Sequence, residues 1–322
     1  MQRRALVRTL ITVVALCAAP AVWAQTYPAK PVTVVIPFPP GGTLDIVGRL
    51  LAQKLGEQMG QSFVVENRPG GLATIGSGQV SKSAADGYTL LFNASVFTTT
   101  PMTMDKPPYD ITRDFTPIAL VAKAPLAVSL NNDVPANDIR SLVAHAKANP
   151  GKVAFAIGAA GAAGHLATEA FKRAAGIDIL IVPYKGTAPA FQDLVGGSVQ
   201  AFIDPILGSQ SLARAGRLKV VAVTSNIRVP SMPEVPTVAE TLPGFEFYSW
   251  YGLWGPPGLP KDIVQKLNAE VNKALATAEM SERLVPQGLL LTPGTTEAFA
   301  RFQQEDMARS ASLIKDANIR TQ

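Results

Sequence analysis

The chain has 322 residues, 16% of them charged, with a formal net charge of +5 at pH 7 and a single cysteine, Cys17. A chain of this length accommodates two domains. One cysteine excludes an intramolecular disulfide and a cysteine-based metal cluster, so the fold must depend on its apolar core.

The first 24 residues have the pattern of a secretory signal peptide. Arg3, Arg4 and Arg8 precede an apolar stretch over residues 10–22, and a small-residue cleavage site ends at Ala24. The apolar stretch is too short to span a membrane. The arginine pair loosely resembles a twin-arginine signal, so either export route is open. Removing 24 of the 322 residues leaves 298 and lowers the net charge from +5 to +2. We therefore predict an exported, soluble protein that does not bind nucleic acid.

A strand, a glycine turn and a helix open the mature chain. The β-branched run Val32–Ile36 predicts a buried strand, and the prolines and glycines after it end that strand. Apolar residues from Leu44 to Leu55 then have helical spacing. The first N–H groups of such a helix lack partners and favour an anion, and Gly41 and Gly42 let a ligand approach the backbone. Alternatively, the glycines only make the turn, with Thr43 as the N-cap.

The same pattern follows a second time. Residues 62–66 predict a strand, residues 67–71 a Gly-rich turn, and residues 73–76 the start of a helix, before a third strand at 88–93. This alternation predicts a parallel sheet with helices on its faces. Ligands bind beyond the carboxyl ends of the strands in such sheets, and both glycine turns lie at that end.

The pattern restarts in the middle of the chain. Two apolar runs, 118–123 and 126–130, meet at Ala124-Pro125, and a helix is predicted from Asp138. Strands are then predicted at 153–157, 177–183, 199–204 and 218–224, with helices after residue 164 and at 187–195. A long connection at 225–243 leads to a strand at 246–253 and a mainly helical end. We predict domain 1 from 25–125 and 225–322, with domain 2, residues 126–224, inserted.

Motifs for catalysis or metal binding are weak. The only histidines, His145 and His165, are not spaced to bind a metal. His165 follows the Gly-rich turn 158–164 and is either a ligand-binding residue or a structural one. No phosphate-binding loop or Gly-x-Ser-x-Gly elbow is present. Asp45, Lys185 and Asp204 carry acid–base groups, but no spacing pairs them. An exported enzyme acting on small organic acids is therefore the alternative interpretation.

Five segments together resemble the Bug-type periplasmic solute-binding proteins of tripartite tricarboxylate transporters, in the same order along the whole mature chain. The segments are Pro39-Pro40-Gly41-Gly42 with Asp45, Glu66-Asn67-Arg68-Pro69-Gly70 with Ile75-Gly76, Asp86-Gly87-Tyr88-Thr89-Leu90, Val182-Pro183-Tyr184-Lys185-Gly186-Thr187-Ala188-Pro189-Ala190, and Pro233-Glu234-Val235-Pro236-Thr237-Val238-Ala239-Glu240.

The resemblance implies an α/β fold of the two-domain periplasmic-binding-protein clamshell, type II-like, each domain a mainly parallel sheet flanked by helices. It implies a periplasmic protein, not an enzyme, with no cofactor or metal. Such a protein captures a small carboxylate between its domains and delivers it to the membrane permease subunits; a monomer is expected. Closure would occur by hinge motion near Ala124-Pro125 and within 225–247.

The resemblance also implies the residues that bind the ligand. They are Phe38, Gly41, Gly42, Thr43, Asp45, Gly71, Ala73, Thr74 and Ser95 in the first domain and Ala159, Gly161, Ala162, His165, Lys185 and Asp204 in the second.

Three positions depart from the family pattern. Relatives often have a hydroxyl side chain where this chain has Leu44, Ile157 and Ala162. A second carboxylate near them would find few donors, so we expect a monocarboxylate or a carboxylate with an apolar body. Asp45 would repel a bound carboxylate, so it either accepts N–H bonds within its own loop or meets a ligand amine.

Overall fold

The computed structural model describes residues 27–320, so the predicted signal peptide, residues 1–24, lies outside the described residues. The strands are β1 (Val32–Ile36), β2 (Phe63–Asn67), β3 (Thr89–Ala94), β4 (Thr116–Leu130), β5 (Ala154–Ile157), β6 (Leu180–Pro183), β7 (Ala201–Pro205), β8 (Lys219–Val223), β9 (Tyr248–Gly255) and β10 (Leu290–Leu291). The helices are α1 (Thr43–Met59), α2 (Thr74–Ser81), α3 (Val96–Thr99), α4 (Ile139–Ala148), α5 (Ala163–Ala175), α6 (Thr187–Gly196), α7 (Ile206–Arg214), α8 (Lys261–Leu275), α9 (Ala278–Leu284) and α10 (Thr296–Asp316). Short 3₁₀ turns occupy Thr100–Thr103, Val238–Glu240 and Val285–Gln287.

The strands form two lobes that share β4. In the first lobe β1 lies parallel to β2 and β3, and β9 joins β3 to β4 in antiparallel pairs. In the second lobe β5 lies parallel to β6 and β7, and β4 runs antiparallel to β7 and β8. The predicted parallel strands are therefore present in both lobes, beside antiparallel strands that the alternation did not predict. This α/β architecture fits a two-domain clamshell.

The two apolar runs that meet at Ala124-Pro125 both lie in strand β4. It is one strand of 15 residues that continues through Pro125. Pro125 is opposite Tyr248 of the first lobe, and the next residue, Leu126, is opposite Pro205 of the second. A proline lacks an N–H, so it is tolerated in a strand only where a ladder bond is not needed. Here it lies where the strand changes partners, and β4 connects the lobes without a break.

The apolar core is divided in the same way. Val34, Leu90 and Leu253 belong to a core under the first sheet, whereas Phe155 and Phe171 belong to one under the second.

Helix α10 contacts both lobes. Phe299 packs with the tryptophans of β9, and Leu313 and Ile314 pack into the core of the second lobe. The limits of the inserted domain, 126 and 224, stay a prediction.

The register makes the carboxyl ends of the two parallel sheets face each other. Strand β3 ends at Ala94, which is opposite Tyr251 of β9, and Tyr251 is in turn opposite Ala122 of β4. Strand β7 ends at Pro205, opposite Leu126 of the same β4. Four residues of strand separate these points, about 13 Å at roughly 3.3 Å per residue. The turns that follow the parallel strands therefore meet in one cleft over the crossing.

Helix α7 lies between the strands predicted at 199–204 and 218–224, where the sequence pattern predicts no helix. Its sequence, Ile206-Leu-Gly-Ser-Gln-Ser-Leu-Ala-Arg214, contains a glycine and two serines that weaken the helical signal. Across residues 27–320, no helix combines the length and apolar character needed to cross a bilayer.

Candidate functional site

The turn after β1 is open on the side where a ligand would approach. Gly42 is the N-cap of α1, in extended conformation and without a side-chain cap, so Thr43 is the first helical residue and not the cap. Gly41 has a φ of 90°. A Cβ added to Gly41 or Gly42 would meet no atom within 4 Å. The positive end of the α1 dipole therefore lies beside free space, as an anion site requires.

Asp45 fixes this turn. Its Oδ2 accepts the Gly41 N–H at 2.9 Å and Arg49 Nε at 2.9 Å, and its Oδ1 accepts Asn67 Nδ2 at 2.9 Å. Asn67 Nδ2 also donates to the Phe38 carbonyl at 3.0 Å, and Arg49 Nη2 donates to Asn67 Oδ1 at 2.7 Å. Of the two arrangements expected for Asp45, bonds within its own loop or a contact with a ligand amine, the structure shows the first.

The hydrogen bonds also determine the charge of Asp45. Burial raises the pKa of this carboxyl, but the bonds from Arg49, the Gly41 N–H and Asn67 outweigh burial and lower the pKa below its ordinary value. Asp45 is thus ionised at neutral pH, and the Arg49 guanidinium balances it. Sequence reasoning missed Arg49 and Asn67, although Arg49 follows Asp45 by four residues, the spacing of a helical ion pair.

The turn after β2 has a strained backbone. Four successive residues, Gly70, Gly71, Leu72 and Ala73, have positive φ angles of 128°, 55°, 53° and 72°. Glycine adopts this region freely, but Leu72 and Ala73 cost on the order of 1–2 kcal/mol each. The Thr74 N–H donates to the Gly71 carbonyl at 3.1 Å and begins α2. The strain lies at predicted site residues, where strained backbone tends to concentrate.

The segment after β3 connects the two lobes. Thr100 Oγ1 donates to the Leu72 carbonyl at 3.3 Å within the first lobe, and Thr99 Oγ1 donates to the Gly161 carbonyl of the second lobe at 3.0 Å. A Cβ on Gly161 would lie 3.1 Å from Thr103 Cγ2. The structure therefore brings the turns after β2, β3 and β5 together. The predicted site residue Ser95 lies on the same segment, with its Oγ 3.4 Å from Ser249 Oγ.

The turn after β5 ends at the N-terminus of α5. Ala162 is the N-cap, without a side-chain cap, and its N–H donates to the Ala159 carbonyl at 3.3 Å. The Gly161 N–H donates to His165 Nδ1 at 3.1 Å. This bond assigns the imidazole proton to Nε2, which is 4.0 Å from Glu169 Oε1. Burial lowers the pKa of His165 to about 4, so the ring is neutral at pH 7.

Two further predicted residues occupy different surroundings. Asp204, at the end of β7, is buried, with Oδ1 3.5 Å from the point where a Cβ on Gly164 would lie. Lys185 is exposed in the turn before α6. That turn adjoins the cleft because the Gly186 N–H donates to the Gly158 carbonyl at 2.7 Å. Asp204 is therefore part of the cleft wall, and Lys185 lies on its rim.

Metal binding finds no support in the described part of the chain. Residues 27–320 contain no group of three His, Cys, Asp or Glu side chains that could hold an ion.

A family comparison identifies this arrangement. The model of the tripartite tricarboxylate transporter family receptor matches residues 47–319. The chain belongs to this family. A Bordetella pertussis relative, protein BugT, is 36% identical to this receptor over 303 residues, which cover 92% of each chain. A relative from Pseudomonas sp. strain P51, encoded in the tcbD–tcbE intergenic region, is 38% identical over 297 residues, 92% of this receptor and 88% of the relative.

Solved structures of similar proteins agree. An R. palustris protein with adipate has a TM-score of 0.81 and 35% identity, and covers 91% of this receptor and 99% of its own chain. The periplasmic binding protein BugD has a TM-score of 0.77 and 36% identity, with 92% and 100% covered. MatC from Rhodopseudomonas palustris with bound malate has a TM-score of 0.76 and 31% identity, with 89% and 100% covered. These are periplasmic solute-binding receptors and not enzymes, so the receptor interpretation is confirmed and the enzyme alternative is not supported.

Proposed function

We propose that this receptor captures a small carboxylate between its lobes and delivers it to the permease subunits of a tripartite transporter. The observation that carries the proposal is the open Gly41-Gly42 turn at the N-terminus of α1, where no side chain occupies the approach to the helix. Asp45, the carboxylate next to this turn, is already balanced by Arg49. Adipate and malate in the two neighbouring structures support a carboxylate ligand.

The proposal includes the predicted site residues of both lobes and the domain limits at 125/126 and 224/225. We also propose that residues 1–24, which lie outside the described residues, direct export of the protein. We further propose that the receptor acts as a monomer. The Thr99–Gly161 contact supports closure of the lobes over the ligand, because it joins turns that belong to different sheets.

A ligand screen tests the capture of carboxylates. Ligand-free protein is melted with mono-, di- and tricarboxylates, amino acids and sugars, and the hits are titrated calorimetrically. A ligand at 100 times its Kd stabilises the folded state by about 2.7 kcal/mol, a clear rise in melting temperature. We expect only compounds that carry a carboxylate to produce it, and NMR to recover the ligand unchanged. Stabilisation by sugars only, or chemical conversion of the ligand, would contradict the proposal.

A second experiment tests delivery. Vesicles that contain the permease should take up labelled ligand only when the receptor is present on the outside. Uptake at the same rate without the receptor would refute delivery to the permease. The protein would then bind its ligand for a different partner.

A further inference from the structure

The Gln287-Gly288 turn of the first lobe contacts the second lobe beside the crossing strand. Leu284 and Leu289, on either side of the turn, fix it in the core of the first lobe. Strand β10, which follows the turn, pairs with β4 at Lys123, and β7 of the second lobe pairs with β4 from Leu126 onwards. Because these points are close together on β4, a rotation of one lobe against the other changes this contact.

The contact leaves no room for a side chain at Gly288. A Cβ there would lie 2.5 Å from Ile206 Cγ2, at the start of α7, and 3.3 Å from Ser231 Oγ. Ile206 is 1% exposed and β-branched, so its Cγ2 methyl cannot easily turn away. Ser231 is fixed to the second lobe, because its carbonyl accepts Gln210 Nε2 of α7 at 3.0 Å. The lobes therefore reach this arrangement because residue 288 is a glycine.

Two polar atoms at the same contact lack partners. Ser231 Oγ and Gln287 Oε1 are buried, and neither has a hydrogen bond within residues 27–320. Burying a polar atom without a hydrogen bond is unfavourable, and separating the lobes would return both atoms to water. The contact thus opposes the arrangement in which it forms, which is also the arrangement in which Thr99 bonds to Gly161 across the cleft.

We propose that Gln287, Gly288, Ile206 and Ser231 form a hinge contact that sets the ligand affinity by controlling how readily the lobes close. Gly288 permits closure, whereas the unpaired atoms of Ser231 and Gln287 keep the ligand-free receptor open. The inference rests on the proposed capture of a carboxylate between the lobes. Since the ligand is proposed to bind the closed state, its affinity rises with the population of that state. Residues that never touch the ligand thus determine how tightly it binds.

Removing either unpaired atom should tighten binding. Ser231→Ala and Gln287→Met each delete a buried polar atom with little change of shape, and each should lower the Kd about tenfold. Calorimetry measures it with adipate, malate and hexanoate as probes. Ser129→Ala is the control, because that buried serine of the second lobe has its hydroxyl 2.8 Å from Ser209 Oγ. It should lose stability and leave the Kd within about twofold.

Adding a methyl group at Gly288 should have the opposite effect. Gly288→Ala collides with Ile206 only when the lobes are together, so its Kd should rise at least about tenfold. Gly258→Ala is the matched control: its φ of 75° is close to the 81° of Gly288, but a Cβ there meets no atom within 4 Å. Its Kd should stay within about twofold, because backbone strain alone acts equally on the open and closed states. Melting curves establish folding, and if Gly288→Ala does not fold, the other two variants decide.

Small-angle X-ray scattering measures the arrangement of the lobes without ligand. The double variant Ser231→Ala/Gln287→Met should have a smaller radius of gyration than the natural receptor, because its closed state is more populated. Ser129→Ala should scatter as the natural receptor does.

The outcomes separate this inference from the proposed function. If neither Ser231→Ala nor Gln287→Met tightens binding, or if the double variant scatters as the natural receptor does, the hinge contact does not hold the lobes open. Equal losses in Gly288→Ala and Gly258→Ala would show that strain, and not the contact with Ile206, matters, and would overturn the inference too. If none of the three probes and no carboxylate of the wider screen binds, the proposed function fails, whereas the scattering still decides whether the hinge contact opposes closure.

Discussion

The hydroxyl of Thr99 and the carbonyl oxygen of Gly161 are 3.0 Å apart and join the two lobes directly. Thr99 ends the short helix α3 after β3, and Gly161 lies in the turn after β5. Gly161 also donates its N–H to His165, so this contact ties the first lobe to the start of α5. The bond exists only while the turns of the two lobes are together, and it therefore favours the closed arrangement.

Thr99→Val should weaken ligand binding without unfolding the protein. Valine keeps the shape of threonine but removes the hydroxyl, and one neutral hydrogen bond contributes about 0.5–1.5 kcal/mol. Because the ligand is proposed to bind the closed state, its Kd should rise about two- to tenfold. Titration calorimetry measures it. The control is Thr98→Val, whose hydroxyl donates to Ser95 within the same segment at 2.8 Å. An equal loss in both variants would show that the segment, and not the contact between lobes, matters.

Asp45→Asn should destabilise the protein. The carboxylate accepts three hydrogen bonds at its two oxygens, whereas the amide has only one oxygen and its NH2 group cannot accept. Bonds to charged groups contribute about 1.5–3 kcal/mol, which sets the expected loss in the free energy of unfolding at pH 7. Since the pKa of Asp45 is lowered on folding, this contribution is present above the unfolded value of about 3.9 and is lost as the pH falls through the folded pKa.

Urea unfolding at pH 7 and near pH 3 measures the difference. Glu57→Gln, on the exposed face of the same helix, removes a solvent-screened ion pair with Lys54 and should cost clearly less than Asp45→Asn. If the two substitutions cost the same at pH 7, the Asp45 network does not hold the turn.

Local patterns in the sequence predicted the first half of this site. The strand Val32–Ile36, the glycine turn and the helix from residue 43 follow from β-branched runs, turn residues and helical spacing, and the structure confirms them. The Gly-rich turns follow the carboxyl ends of the parallel strands, as expected for such sheets. The two sets of turns face each other because β4 crosses from one sheet to the other.

The rest depends on contacts that no local pattern records. Asn67 reaches Asp45 from 22 residues away, and Ser249 reaches Ser95 from 154 residues away. Tyr251 lies in a fully buried strand, where an apolar run predicts only a core position. Proline and glycine usually indicate turns, but Pro125 lies inside a continuous strand. Whether a strand tolerates the missing N–H of a proline depends on its neighbouring strands, which the local sequence does not show.

Gly42→Val should weaken binding of the ligand carboxylate and leave the fold intact. Gly42 has a φ of −78° and open space beside it, so the free protein accommodates the side chain. The isopropyl group would occupy the approach to the α1 N-terminus, and unmade hydrogen bonds to a charged group cost about 1–3 kcal/mol. Calorimetry and melting curves on the same sample check both statements. Gly196→Val, also in open space, is the control. Unchanged affinity in a folded Gly42→Val protein would refute the assignment of the anion site.

His165 should make the protein less stable in mild acid. Its pKa falls from 6.5 to about 4 on folding, so between these values the unfolded chain binds a proton that the folded chain does not. Stability should therefore fall as the pH drops from 6.5 towards 4, by about 3 kcal/mol at 1.36 kcal/mol per pKa unit. His165→Asn cannot titrate, and its amide oxygen can still accept the Gly161 N–H. Urea unfolding across this range should give a flatter curve for the variant, and parallel curves would contradict the assignment.

Asp204 should have the opposite pH dependence. Burial raises its pKa on folding, so above the unfolded value of about 3.9 the folded chain retains a proton that the unfolded chain has released. The contribution of Asp204 to stability is fully present below about pH 3.9 and is lost as the pH rises through the folded pKa. Asp204→Asn has the shape of the protonated acid and does not titrate. The variant should match the natural protein near pH 4 and exceed it increasingly towards pH 8, in urea unfolding without ligand. Taking the difference between the two proteins at each pH removes the contribution of His165, which both share. A constant difference across this range would mean that Asp204 is ionised in the folded state, and its charge would then have to be met by a cation in the cleft.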